Sequence, residues 1–216
     1  MLWGILMVSV VMGCAVGAAG RLVLARLRRG ARIPGGWCEL AAACACAVIG
    51  VRWLTHGFPP WWLPVPVALT ALGIPLAAID LARRRLPDAL TIPAYALFAG
   101  ALLAASTVGA NGGVLLRAVI GVGVFGGAHL MIHLAAPASL GAGDVKLSGS
   151  LGGILAAVGW PAMVVAAGLA AVLTLVLAAV PAALRAGAWT QGVPHGPGLL
   201  AATWLVAVFP GAGLLG

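Results

Sequence analysis

Apolar residues run through this chain in long blocks, separated by short segments rich in arginine, proline or glycine. Blocks near 2–20, 38–54, 64–81, 90–108, 114–136, 145–159, 161–184 and 198–214 each approach the roughly 20 residues that cross a bilayer as a helix. A transmembrane barrel would instead show alternating segments of about ten residues. Continuous Ala-, Leu-, Val- and Gly-rich blocks read as helices, which satisfy their own backbone groups in lipid. The expected fold is all-α, a polytopic membrane protein of about eight transmembrane helices. The sixth block is short and glycine-rich, which leaves its depth in the bilayer open.

Composition strengthens this picture. Of 216 residues, 63% are hydrophobic and only 7% charged, and the mean hydropathy is +1.15. A soluble domain carries about 25% charge, so this chain cannot cover a globule with polar groups. The net charge of +8 does not call for nucleic acid, because no basic face interleaved with aromatic or polar residues is visible. Ten of the twelve basic residues fall in segments expected to face the cytoplasm under the positive-inside rule. Arg21, Arg26, Arg28, Arg29 and Arg32 set the first loop inside, and Arg83, Arg84 and Arg85 set the third. Lys146 and Arg185 then fall on the same side, with both termini outside. The apolar run 1–19 lacks a basic segment ahead of it, so it reads as a first span and not as a signal peptide. Arg52 and Arg117 are exceptions near the outer ends of their spans, where a long side chain can snorkel. Trp61 and Trp62 are expected at interfacial height. Gly109 to Gly113 reads as a short outer turn, and Gly121, Gly123, Gly126 and Gly127 as one smooth packing face. Cys14, Cys38, Cys44 and Cys46 form no CxxC pair and read as small packing residues. No metal site and no cofactor are expected.

Carboxylates are scarce enough to be informative. The chain has four, Glu39, Asp80, Asp88 and Asp144. An acid beside hydrocarbon is costly and usually has a role. Asp80 ends the third block, just before three arginines. Asp144 follows Gly141-Ala142-Gly143, where two glycines let the backbone turn or approach another chain closely. Two crossings separate the aspartates, so the chain returns to the same face and they can be neighbours. The plainer alternatives are that Asp80 balances the adjacent arginines, and that Asp144 and Asp88 cap the helices that follow them. Asp88, behind Pro87, favours the capping role. Lys146 fits an inside-positive anchor, or a group that holds the loop or tunes the site.

These segments carry a resemblance. Ile79-Asp80, followed by Leu86-Pro87-Asp88-Ala89-Leu90-Thr91-Ile92-Pro93, is similar to a signature of the type IV prepilin peptidases. Gly141-Ala142-Gly143-Asp144-Val145-Lys146-Leu147 resembles their GxGD motif. Val193-Pro194-His195-Gly196-Pro197 resembles their C-terminal element, with His195 in place of an aromatic residue and expected only to pack. Arg32-Ile33-Pro34 with Glu39-Leu40 is a weaker likeness. The resemblance implies an aspartyl endopeptidase with Asp80 and Asp144 catalytic. Gly141, Gly143, Pro87, Asp88 and Lys146 would shape the substrate-binding loops. It further implies a bacterial plasma membrane location, a site facing the cytoplasm, and a prepilin or pseudopilin precursor as substrate, cleaved behind its basic leader. Many relatives carry a cytoplasmic insert with two CxxC pairs and methylate the new N-terminus. Residues 21–37 are too few for that insert, so peptidase activity without methyl transfer is expected. The division is then a two-span region, 1–60, and a catalytic membrane domain, 61–216.

Two close carboxylates cannot both ionise easily, so one keeps a proton while the other activates water. The basic loops would repel a basic leader and are expected to bind anionic membrane lipid. The alternatives are a small transporter, which would place acids near the midplane in inverted repeats, and a non-catalytic scaffold of a pilus or secretion system. The boundary position of the acids and the absence of a visible repeat weigh against the first. The presence of both aspartates weighs against the second.

Overall fold

The computed structural model describes residues 2–109, 113–137, 140–183 and 193–211. Most of the expected turn at 109–113, and Arg185, lie outside them. The described residues form α1 (Leu2–Arg26), α2 (Trp37–Leu54), α3 (Pro64–Arg83), α4 (Asp88–Val108), α5 (Gly113–Ala135), α6 (Ala142–Val158), α7 (Trp160–Ala183) and α8 (Gly196–Val208). A short 3-10 turn, Pro60–Trp62, precedes α3. Among these, α1, α2, α3, α4, α5 and α7 are long and apolar enough to cross a membrane. The chain is a polytopic, all-helical membrane protein.

The two short helices explain the architecture. Helix α6 has 17 residues, about 25 Å at 1.5 Å per residue, less than the ~30 Å hydrocarbon thickness. It is short because it is a core element: every residue from Leu147 to Val158 is buried. It packs against α4, α5, α7 and α8. Glycine makes the α5 contact possible. A Cβ at Gly121 would strike the Gly152 backbone, and one at Gly126 would lie 3.0 Å from Gly149 Cα. Gly123 and Gly127 face open space instead, so the four glycines are not one face. The 3.6-residue period puts 121 and 126 toward α6 and turns 123 and 127 away.

Helix α8 has only 13 residues, and side chains from elsewhere hold its C-terminal end. Trp62 Nε1 donates to Ala207 O at 2.8 Å. Arg52 donates to Val208 O at 3.3 Å and to Gly57 O at 2.7 Å, with its guanidinium 4.6 Å from the Phe209 ring centre. Arg117 reaches Ala157 O near the end of α6, at 3.4 Å. Both arginines therefore have partners inside the protein. Each meets carbonyls at a helix C-terminus, where the helix dipole favours a cation. Trp62 is likewise fully buried, and its N–H has a carbonyl to bond.

Candidate active site

Helix α3 ends one turn beyond Asp80. Arg84 takes the left-handed conformation (φ 50°) and its N–H bonds Asp80 O at 2.7 Å, a C-cap that usually falls to glycine. The reversal carries Leu86-Pro87 back across the bundle. Pro87, extended at φ −72°, is the N-cap of α4, and Asp88 is its first helical residue, not its cap. At α6 the N-cap is Gly141, also extended, and Asp144 is the third helical residue. The Asp144 carboxylate folds back toward the cap, with Oδ2 3.3 Å from where a Gly141 Cβ would stand. Neither motif glycine has a left-handed φ. Gly143 serves close approach: a Cβ there would lie 2.9 Å from Leu86 Cβ. The two motifs thus touch through a glycine.

A second link is ionic. Lys146 Nζ meets Asp88 Oδ1 at 2.6 Å, with both side chains about half exposed. A third is Tyr95 on α4, whose hydroxyl donates to Lys146 O at 2.7 Å. Gly149 leaves the room, since a Cβ there would collide with the Tyr95 hydroxyl. His133, at the end of α5, donates from Nδ1 to Leu140 O at 2.7 Å and holds the approach to Gly141. The first turn of α6 is therefore fixed from α4 and α5 together.

The aspartates converge on the start of α8. A Cβ at Gly196 would stand 2.6 Å from Asp80 Oδ2 and 3.3 Å from Asp144 Oδ1. The two carboxylates flank one point and can be no farther apart than the sum of those distances. Asp80 is 4% exposed. Asp80 Oδ2 and Asp144 Oδ1, the two oxygens aimed at Gly196, are buried and have no hydrogen-bond partner. Buried polar atoms are nearly always paired, so two orphans facing one another mark a place prepared for other atoms. Their helices differ in sign: Asp144 sits at the positive end of α6 and Asp80 at the negative end of α3.

Both aspartates open onto a cavity of about 760 Å³, which Gly141, Gly143, Pro87, Asp88 and Lys146 also line. The structure thus brings together all seven residues that the sequence singled out. Arg28, Arg29, Arg83, Arg84 and Arg85 line the same cavity, so its mouth is strongly basic. Among the described residues, no group of three His, Cys, Asp or Glu side chains is placed to hold a metal ion.

Three residues at the site had no such role in the sequence reading. Gly196 is the wedge between the carboxylates; the sequence placed it only within the C-terminal element Val193-Pro194-His195-Gly196-Pro197, with no role of its own. Tyr95 is the chain's single tyrosine, lying in an apolar helix. His129 on α5 is buried, with Nδ1 donating to Phe125 O at 2.8 Å, and it is near enough to Asp144 and His195 for their charges to interact. His195 bonds Thr174 Oγ1 at 2.9 Å. That hydroxyl already donates to Ala170 O, so the His195 Nδ1 carries the hydrogen.

No curated protein matches the chain, and neither does a solved structure. The model of the type IV leader peptidase family matches residues 67–179, more than half of the chain. The match contains both aspartates and both motifs and stops short of Gly196. The chain belongs to the type IV leader peptidase family.

Proposed function

We propose that this peptidase is an aspartyl endopeptidase that removes the basic leader of prepilin or pseudopilin precursors at the cytoplasmic boundary of the bacterial plasma membrane. The observation that carries the reading is the pair of orphaned carboxylate oxygens flanking Gly196. Buried carboxylates this close share a proton, because ionising both places like charges together out of water. The ionised member takes a proton from a water molecule as that water attacks the scissile carbonyl. The protonated member donates its proton to the carbonyl oxygen; as the tetrahedral intermediate collapses, the proton taken from water passes to the leaving amide nitrogen and a hydroxyl proton of the intermediate returns to the acid. The termini divide the roles. Asp144, on a helix N-terminus, suits the base, and Asp80, on a helix C-terminus, suits the acid.

The short connection between α1 and α2 supports a peptidase that does not methylate its product. The arginines at the mouth of the cavity support a cytoplasmic placement. Those arginines favour anionic headgroups over a basic leader, so the leader is best placed at the rim, with lipid between the like charges. Precursor co-expressed with the wild-type protein should shift to the size of the mature form. Asp80→Asn and Asp144→Asn should each lower the rate by on the order of 10³-fold or more while leaving thermal unfolding in detergent unchanged. Cleavage that survives either substitution would exclude the two-aspartate mechanism. Activity should fall on both sides of an optimum pH, since full protonation removes the base and full ionisation removes the acid.

A further inference from the structure

A second cavity, of about 190 Å³, lies between α2, α3 and α8. It is apolar and opens sideways. Ala41 and Ala201 on its walls are exposed, toward what is lipid in a membrane. Its walls are small: Ala41 and Ala45 from α2, Gly73 and Ala77 from α3, Ala201 from α8. Its single hydroxyl, Thr70, is spoken for, donating to Pro66 O at 2.8 Å and accepting from Trp204 Nε1 at 2.9 Å. That bond pins α3 to α8 at the far end of the groove, leaving a floor of Leu69 and Leu200 with no free polar group.

The direction of the groove gives it meaning. Gly73 and Ala77 sit four residues apart on one face of α3, and Asp80 is three residues on, in line with them. From Leu69 to Asp80 the axis runs about 16 Å at 1.5 Å per residue. On α8 the wall residue Pro197 directly follows Gly196, the wedge between the carboxylates. Both walls therefore end at the two orphaned oxygens, one of them on a side chain only 4% exposed. Small side chains on three helices allow another helix to approach closely, which is how helices associate where lipid offers no hydrophobic gain. The volume fits the ridge of one helix face, not a whole helix.

Resting on the reading of the chain as a leader peptidase, we propose that this groove docks the transmembrane helix of the substrate, a helix with small residues along one face, and delivers the peptide bond at its end to Asp80 and Asp144. The site would then measure its cut from the top of a bound helix. Substrates would be selected by the small-residue face of their membrane segment as well as by the sequence around the scissile bond.

Ala201→Trp and Gly73→Leu fill the groove without touching the carboxylates. Each should lower kcat/KM for membrane-anchored precursor at least about tenfold, mainly through KM, and change cleavage of a short soluble peptide spanning the scissile bond by less than about twofold. Val119→Trp, at a residue of α5 that is 71% exposed, should alter neither. A photo-reactive benzoylphenylalanine at position 201, in an Asp80→Asn background, should cross-link the precursor through its apolar helix. Full activity of both filled variants on anchored precursor would overturn the proposal. So would cross-links confined to lipid or to a second copy of the chain. Wild-type protein that cleaves neither substrate would instead count against the leader-peptidase reading itself.

Discussion

The two ends of the helical bundle treat buried polar groups in opposite ways. At the end away from the cavity, the C-terminal carbonyls of the short helices α6 and α8 are met by Arg117, Arg52 and Trp62. Among the described residues, only Arg117 Nε is left there without a partner. At the cavity end, the N-terminal starts of the same two helices carry Asp144 and adjoin Asp80, and the facing oxygens are left unpaired. Unpaired buried groups cost stability, and among the described residues Arg117 Nε is the one such side-chain atom outside the site. The difference separates polar residues that hold the helices from polar residues kept free for chemistry. It also accounts for the two arginines that break the positive-inside pattern: they belong to the holding end.

The comparison can be broken most sharply at Gly196. Gly196→Ala puts a methyl group against both carboxylates and should reduce cleavage by on the order of 10²-fold, because misplacing reacting groups by about 1 Å costs that much. The unfolding temperature should stay close to wild type. A fully active Gly196→Ala enzyme would mean that the carboxylates do not work across this point.

The opposite end should respond in the opposite way. Arg52→Ala removes charge-assisted bonds to two carbonyls and a contact with Phe209, and should cost about 2–3 kcal/mol of stability. Thermal unfolding in detergent would read this loss, while activity per folded molecule is retained. A large activity loss with unchanged stability would contradict the division between the two ends.

Tyr95→Phe tests how α4 positions Asp144. Losing the bond to Lys146 O should lower kcat roughly three- to tenfold with little change in KM, since only the placement of the first turn of α6 is loosened. An equal loss for Lys146→Met would place both links in one device. The smallest effect should come from the cavity mouth. Arg28→Gln with Arg29→Gln should raise kcat/KM for a basic-leader precursor about twofold at low ionic strength, a gain that fades as salt screens the charges. A fall in rate would show that these arginines contact the substrate productively.

Sequence and structure divide this account along physical lines. Apolar blocks, proline starts and arginine-rich breaks placed all eight helices, because in lipid a backbone must bond within its own segment. The scarcity of acids singled out Asp80 and Asp144, since each charge near hydrocarbon needs a reason. The spacing of two crossings allowed their meeting. What one dimension could not carry was the relation between helices. Gly196 as wedge, Tyr95 on the α6 backbone, His129 beside Asp144, and Arg52 on the end of α8 all depend on partners between 15 and 156 residues away. The glycines of α5 show the same limit: their spacing says that helices come close, and only the packing decides which two face α6. Periodicity and solvent cost are local properties of a sequence. The placement of a carboxylate against a glycine from another helix is a property of the packed bundle.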